Sequence, residues 1–176
     1  MQDRQSPMGD RLEIAEVVQN WALWRDAGHW DRFRTVWAPN GWMSATWFQG
    51  PAQDFINISK EGFDKGVSIL HFLGGTSVDI HGSRAIASTK MTISQRGTFD
   101  GTAVDVVCTG RFYDFVMRHQ GDWKLLHRQP IYEKDRIDPV DPAATLKLDM
   151  PMLKGDAVQS LYRRGEAWLA GGELQR

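Results

Sequence analysis

The sequence predicts an α+β fold in which a cone-shaped, curved, mixed or antiparallel β-sheet wraps around N-terminal helices. Three observations carry this. Apolar residues recur at helical spacing from Asp10 to Trp37, one short strand and a further helical stretch follow, and after Gly66 four long β-type runs are separated by tight turns. Helices placed ahead of a meander are the α+β pattern, with the helices on one side of a strongly bent sheet. The open end of such a cone is a concave space between helix and sheet, where small-molecule sites form.

The first helix is read from Ile14, Val17, Val18, Trp21 and Trp24, spaced by threes and fours, with Asp10 as its N-cap and Gly28 ending it. His29 to Trp37 continues as a short second helix, stopped by the turn residues Pro39, Asn40 and Gly41. Trp42 to Phe48, bounded by turn signals, reads as the first strand. Gly50 and Pro51 open a third helix carrying Phe55, Ile58 and Phe63. The meander runs are Val67 to Ile80, Arg84 to Gln95, Thr102 to Arg118 and Trp123 to Lys134. His81-Gly82-Ser83, Asp100-Gly101 and Gln120-Gly121-Asp122 supply the hairpin turns between them. Ala85, Ala87, Thr89, Met91 and Ile93 fall on one face of the second run, which fits a sheet with one side against helices. Asp138, Pro139, Asp141 and Pro142 stop the last strand, and Val158, Leu161, Tyr162, Trp168 and Leu169 repeat as a final short helix. The domain reading is therefore a tail over 1–10, one domain over 11–138 and a C-terminal extension over 139–176.

Composition narrows the function. The 176 residues match one compact domain, and 41% hydrophobic with 24% charged residues is a globular balance. Twenty-one Lys plus Arg against twenty-two Asp plus Glu leave a net charge of −1, so no basic field draws nucleic acid or an anionic membrane. The polar Met1 to Asp10 lacks a signal-peptide core, no run reaches the ~18 apolar residues of a membrane span, and the single Cys108 forms no internal disulfide; these point to a cytoplasmic protein. Eight Trp among nineteen aromatics exceed what packing alone requires, which points to an aromatic-lined pocket for a small molecule.

Three residues attract chemistry. Asp26 lies near the C-terminal end of the first helix, where the macrodipole disfavours a carboxylate unless something compensates. A helical wheel puts it about 20° from Ala15 and about 40° from Ala22, at the edge of the apolar arc. A solvated acid at a helix end is the competing reading. Arg25 falls inside the arc, a sign of fraying there. His71 interrupts the apolar run Val67 to Leu73 as either a satisfied core residue or a tuned acid or base. If Asp26 accepts a hydrogen bond from one ring nitrogen, the other is left to take a substrate proton. Arg128 shares a strand face with Leu126, Pro130 and Tyr132, while His127 points the other way with Ile131. Turned inward, Arg128 holds a leaving group or an oxyanion; turned outward, it makes a surface salt bridge. The histidines at 29, 71, 81, 119 and 127 lack metal-ligand spacing, and no GxGxxG unit, GxSxG elbow or cysteine pair is present. No metal and no cofactor are expected.

The segments Trp24-Arg-Asp26-Ala-Gly-His-Trp30-Asp-Arg-Phe33, His71-Phe-Leu-Gly-Gly-Thr-Ser-Val and Arg118-His-Gln-Gly-Asp-Trp123-Lys resemble the helix junction, pocket strand and last hairpin of the SnoaL-like superfamily, whose shape is the nuclear-transport-factor-2-like cone. The resemblance covers about Arg11 to Asp138. Within that superfamily scytalone dehydratase and hexachlorocyclohexane dehydrochlorinase use an Asp and His pair to remove a proton without a cofactor. Asp26 and His71 match that pair, Arg128 resembles the dehydrochlorinase arginine after the hairpin tryptophan, and Trp42 resembles one of its pocket tryptophans. A lysine five residues before the aspartate of the dehydrochlorinase is replaced by Trp21, which removes the charge that assists a halide.

The resemblance implies a cofactor-independent lyase or isomerase, of the dehydratase or elimination type, acting on a small apolar, cyclic or aromatic substrate. His71 is then the base, Asp26 its orienting carboxylate and Arg128 an electrostatic stabiliser, with Trp21, Trp42 and Ile69 shaping the cavity. Two alternatives use the same fold: a noncatalytic assembly or ligand-binding subunit, like the small subunit of a ring-hydroxylating dioxygenase, and a polyketide-type cyclase. Apolar residues expected on the outer face of the long meander strands point to a homodimer or homotrimer.

Overall fold

The structure, a computed structural model, describes residues 7–141, 143 and 156–174, which fall into two compact units, Met1–Asp141 and Pro142–Arg176. The first contains α1 (Pro7–Asp26), α2 (Trp30–Thr35), β1 (Trp37–Ser44), β2 (Gln49–Pro51), α3 (Ala52–Asp64), β3 (Ile69–His81), β4 (Arg84–Phe99), β5 (Thr102–His119) and β6 (Asp122–Pro139). The strands form one curved sheet in the order β2-β1-β6-β5-β4-β3, antiparallel except where β1 runs parallel to β6. The α+β cone expected from the element order is therefore observed, as an open six-stranded mixed sheet with the helices in its concavity. The second unit holds α4 (Asp156–Leu169), closed by Gly171 at φ 87° with its N–H on the Trp168 carbonyl at 3.0 Å. No helix among the described residues is long and apolar enough to cross a membrane.

Turn chemistry fixes the meander. His119 pairs with Asp122 and Phe99 with Thr102, so each of these hairpins turns on two residues. All four, Asp100, Gly101, Gln120 and Gly121, have positive φ, the geometry that matches strand twist. Bulges then re-aim the side chains. On β3, Gly74 and Gly75 together face Lys90, so the inward set changes from Ile69, His71 and Leu73 to Thr76, Val78 and Ile80. On β6 an extra residue at Leu126 lets Trp123 and Leu125 face the core before it, and Arg128, Pro130 and Tyr132 face inward after it. Gly110 sits at a second β6 irregularity; a Cβ there would stand 1.9 Å from the Ile131 carbonyl oxygen, so only glycine fits.

Inward side chains of the sheet meet α1 and α3 in one core built on Ile14, Val18, Trp21, Phe33, Phe55, Phe112, Trp123 and Leu125. Each such side chain contributes roughly 1.5–3 kcal/mol by leaving water.

Several boundaries differ from the sequence reading. α1 begins at Pro7, a residue suited to the first helical turn, so Asp10 is no N-cap. Asp10 instead accepts hydrogen bonds from Arg118 and from Trp123 Nε1, tying α1 to the last hairpin. Residues 1–6 lie outside the described residues, as do 142, 144–155 and 175–176 of the extension. Pro39, Asn40 and Gly41 do not separate helix from strand. They lie within β1, where the register against β6 shifts between Trp37 and Trp42, and their turn geometry is absorbed as a bulge with Pro39 and Asn40 exposed. β6 runs to Pro139 because its last residues still pair with Val104 and Asp105.

Candidate active site

The cone encloses a cavity of about 510 Å³. Trp21, Phe55, Phe112, Ile69, Ile93 and Met43 give it apolar walls, and Arg25, Thr46, His71, Gln95, Cys108 and Tyr132 bring polar groups to it. Glu133, Lys134 and Asp135 of β6 add charged groups to the lining. Volume and mixed lining are those of a small-molecule site.

On the cavity wall His71 meets Asp26, which is not itself a lining residue. β3 is an edge strand, and the outward N–H of His71 has no ladder partner, so it donates to Asp26 Oδ2 at 2.6 Å. The ring makes a second contact, Nδ1 to Asp26 Oδ1 at 2.7 Å. Two bonds to a charged acceptor, each worth roughly 1.5–3 kcal/mol, outweigh the 0.3–1 kcal/mol or so that a carboxylate loses at a helix C-terminus. Arg25, one residue earlier, adds an ion pair at 3.4 Å from Nη1 to Asp26 Oδ1. Neither member of the pair is solvated: 13% of the Asp26 side chain and 5% of the His71 side chain are exposed.

Burial is the larger influence on His71 and draws its pKa below the ordinary value of 6.5. The hydrogen bond and charge of Asp26 oppose that fall, and the cations Arg25 and Arg128 add to it. The imidazole is thus neutral at physiological pH. With Nδ1–H donated to the carboxylate, Nε2 carries the lone pair. The ring is held by packing: Trp21 meets it edge-on at 5.2 Å between centroids and 88° between planes, and Phe112 lies at 6.1 Å. Phe55 stacks on Trp21 at 6.0 Å and 16°.

The other expected site residues divide. Trp21 and Ile69 line the cavity. Trp42 does not. Alternation along β1 buries Met43 and turns Trp42 and Ser44 to the other face, leaving Trp42 42% exposed. His127 occupies that outer face too, hydrogen-bonded to Ser44 Oγ at 2.8 Å and stacked on Phe115. Arg128 points inward but does not line the cavity. It is 0% exposed and bidentate to Asp114, with Nε to Oδ1 at 2.7 Å and Nη2 to Oδ2 at 2.6 Å. Its Cζ lies 4.2 Å from the Trp21 ring centroid and 4.0 Å from that of Phe112. Arg128 supports the aromatic wall from behind, and contact with a substrate would require that wall to open.

Arg25, Trp47 and Tyr132 are among the lining residues that the sequence reading did not assign. The position of Arg25 inside the apolar arc of α1 reflects burial beside the cavity and not fraying of the helix end. Burial, followed by the proximity of Cys108, raises the Tyr132 phenol pKa, against a hydrogen bond with Thr46. Burial and then Asp135 push the Cys108 thiol up, so it is not a thiolate nucleophile. Among the described residues no group of three or more His, Cys, Asp or Glu is placed to hold a metal ion.

A SnoaL-like domain model matches residues 7–129 of the chain. Pea pathogenicity protein 2 of Fusarium vanettenii is 36% identical over 148 residues, which cover 82% of this chain and 64% of that protein. The chain thus spans a little under two thirds of the length of that curated relative. Among solved structures, the Kfla4162 protein of Kribbella flavida superposes with a TM-score of 0.66 at 18% identity, covering 74% of this chain and 95% of the other. The hexachlorocyclohexane dehydrochlorinase LinA-type3 of Novosphingobium barchaimii gives a TM-score of 0.62 at 10% identity over 80% of this chain and 97% of its own. These two structures share the fold. The family match extends from the first residues of α1 through Arg128 on β6, taking in helices, sheet and the Asp26–His71 pair, and on that match the chain belongs to the SnoaL-like domain family.

Proposed function

We propose that this protein is a cofactor-independent lyase or isomerase that removes a proton from carbon on a small apolar, cyclic or aromatic substrate. The observation that carries the reading is the neutral, nearly buried His71 lining a 510 Å³ cavity while its Nδ1 is tied to Asp26 at 2.7 Å. Nε2 takes the substrate proton, and Asp26 holds the tautomer and stabilises the imidazolium that forms. The apolar walls keep water away and strengthen these interactions. In an elimination the proton passes on to the departing hydroxyl, which leaves as water; in an isomerisation it returns to another carbon.

A panel of small ring ketones bearing a β-hydroxyl tests this, read by the ultraviolet absorbance of the unsaturated ketone. Wild-type protein should turn over members of the panel that fit the cavity, and His71→Gln should not, with its thermal midpoint within a few degrees of wild type. Full activity in a folded His71→Gln protein removes the base assignment.

A second reading, a noncatalytic assembly subunit, draws support from the exposed Leu70, Phe72, Tyr113 and Phe115 on the outer sheet face. It gives no role to an oriented imidazole inside a cavity, and it requires a larger partner chain to co-purify. A polyketide-type cyclase would use the same proton removal for ring closure and differs only in substrate.

A further inference from the structure

Of the two arginines near the Asp26–His71 pair, Arg128 has its own carboxylate partner and is sealed from solvent, whereas Arg25 lines the cavity and shares Asp26 with His71. The Arg25 side chain is 10% exposed, and among the described residues its hydrogen-bonding contact is the 3.4 Å approach of Nη1 to Asp26 Oδ1. That oxygen already faces His71 Nδ1 at 2.7 Å, and Oδ2 accepts the His71 backbone N–H at 2.6 Å. The Nε and Nη2 donors of Arg25 make no bond to the described residues, and they are absent from the buried atoms lacking a partner, among which is Arg128 Nη1. A guanidinium presents five N–H groups in a rigid fork, and taking it out of water with one long contact is costly. Burial accordingly draws its pKa down, against the charge of Asp26. The helix C-terminus favours a cation at this place, which helps hold the guanidinium at the cavity.

We propose that Arg25 binds an oxygen of the substrate that carries or develops negative charge, so that the cavity takes a small ring compound bearing a phenolate or an enolisable carbonyl. The inference rests on the proton-abstraction reading and deepens it. When Nε2 of His71 takes a proton from the carbon next to a carbonyl, the C–H electron pair becomes the new C=C bond and the carbonyl π pair moves to oxygen. The unused donors of Arg25 then meet that oxygen. The negative charge forms as His71 becomes positive, so the site stays electrically balanced around the Arg25–Asp26 ion pair. Glu133, Lys134 and Asp135 are the other charged lining groups.

Titration with 4-nitrophenol tests this, because phenol and phenolate differ in absorbance. Wild-type protein should bind the phenolate and lower the apparent pKa of the bound phenol relative to free probe. Arg25→Gln should bind the phenolate about tenfold to a hundredfold more weakly, the usual loss for a hydrogen bond to a charged group. Arg25→Lys should restore part of it, and Arg25→Met, which keeps the packing of the stem, makes the same comparison if the glutamine variant is poorly folded. Phenolate binding is read without turnover, which separates this claim from the base assignment. Equal phenolate affinity in folded Arg25→Gln or Arg25→Met, or a wild-type protein that binds no phenolate, overturns the proposal.

Discussion

Replacing Asp26 by Asn preserves shape and removes one acceptor. Asp26 serves two donors of His71, the backbone N–H at 2.6 Å and Nδ1 at 2.7 Å. An asparagine offers one carbonyl oxygen and one NH2 group. The backbone N–H is an obligatory donor, so the amide oxygen turns toward it and the NH2 group meets Nδ1. Nδ1 becomes an acceptor and the ring proton moves to Nε2, the atom that must receive the substrate proton. The equivalent tautomer error in a serine-protease triad costs about 10⁴ in kcat, and a loss of about 10²–10⁴ is expected here. The lost charge also removes what opposes burial at His71. Without that hydrogen bond and charge the His71 pKa falls further below its ordinary value. Proton–nitrogen correlation spectra of ¹⁵N-labelled histidine read tautomer and titration together and need no substrate. A folded Asp26→Asn protein with the Nδ1–H tautomer and an unmoved titration would refute the reasoning.

Four other outcomes follow from the same geometry. The acid limb of kcat/KM should have its midpoint below 6.5, because the rate requires neutral His71 and burial lowers its pKa; a limb above 6.5 contradicts the burial argument. Stability should carry the same sign. The unfolded chain binds the His71 proton at higher pH than the folded one, so stability is fully present above about 6.5 and is lost as pH falls toward the lowered folded value; urea titrations of wild type and His71→Gln at several pH values measure that difference. Asp114→Ala should cost about 3–5 kcal/mol, since it leaves Arg128 charged and unpaired in the core, whereas Asp114→Leu with Arg128→Met should recover most of it in the same assay. Phe115→Glu, on the exposed outer face of the sheet, should shift sedimentation toward monomer if that face joins copies of the chain.

The fold was legible because its signals are local. Helical spacing in α1, Pro51 before α3 and the Asp100-Gly101 and Gln120-Gly121 turns each act within a few residues. Asp26 and His71 were legible as anomalies, an acid at the wrong end of a helix and an imidazole in an apolar run, and the mutual satisfaction of the two resolves both. The partner of Arg128 was not legible. Counting back from the Gln120-Gly121 turn sets Asp114 opposite His127, and the extra residue at Leu126 moves it opposite Arg128. A bulge of that kind leaves no composition signal. Trp42 was misplaced for a related reason: the irregular stretch Ala38 to Gly41 decides which residue of β1 turns inward, and it selects Met43. Arg25 was visible on the helical wheel but, without the cavity beside it, nothing distinguished a buried functional cation from a fraying helix end.

The most direct measurement of the central claim is the exchange of α-protons of a bound ring ketone for deuterium in D2O, followed by proton NMR, since it isolates abstraction from any leaving group. Wild-type protein should accelerate exchange above the buffer rate, and His71→Gln should return it to that rate while remaining folded. Exchange that is no faster than buffer with wild type, or that persists in His71→Gln, contradicts it.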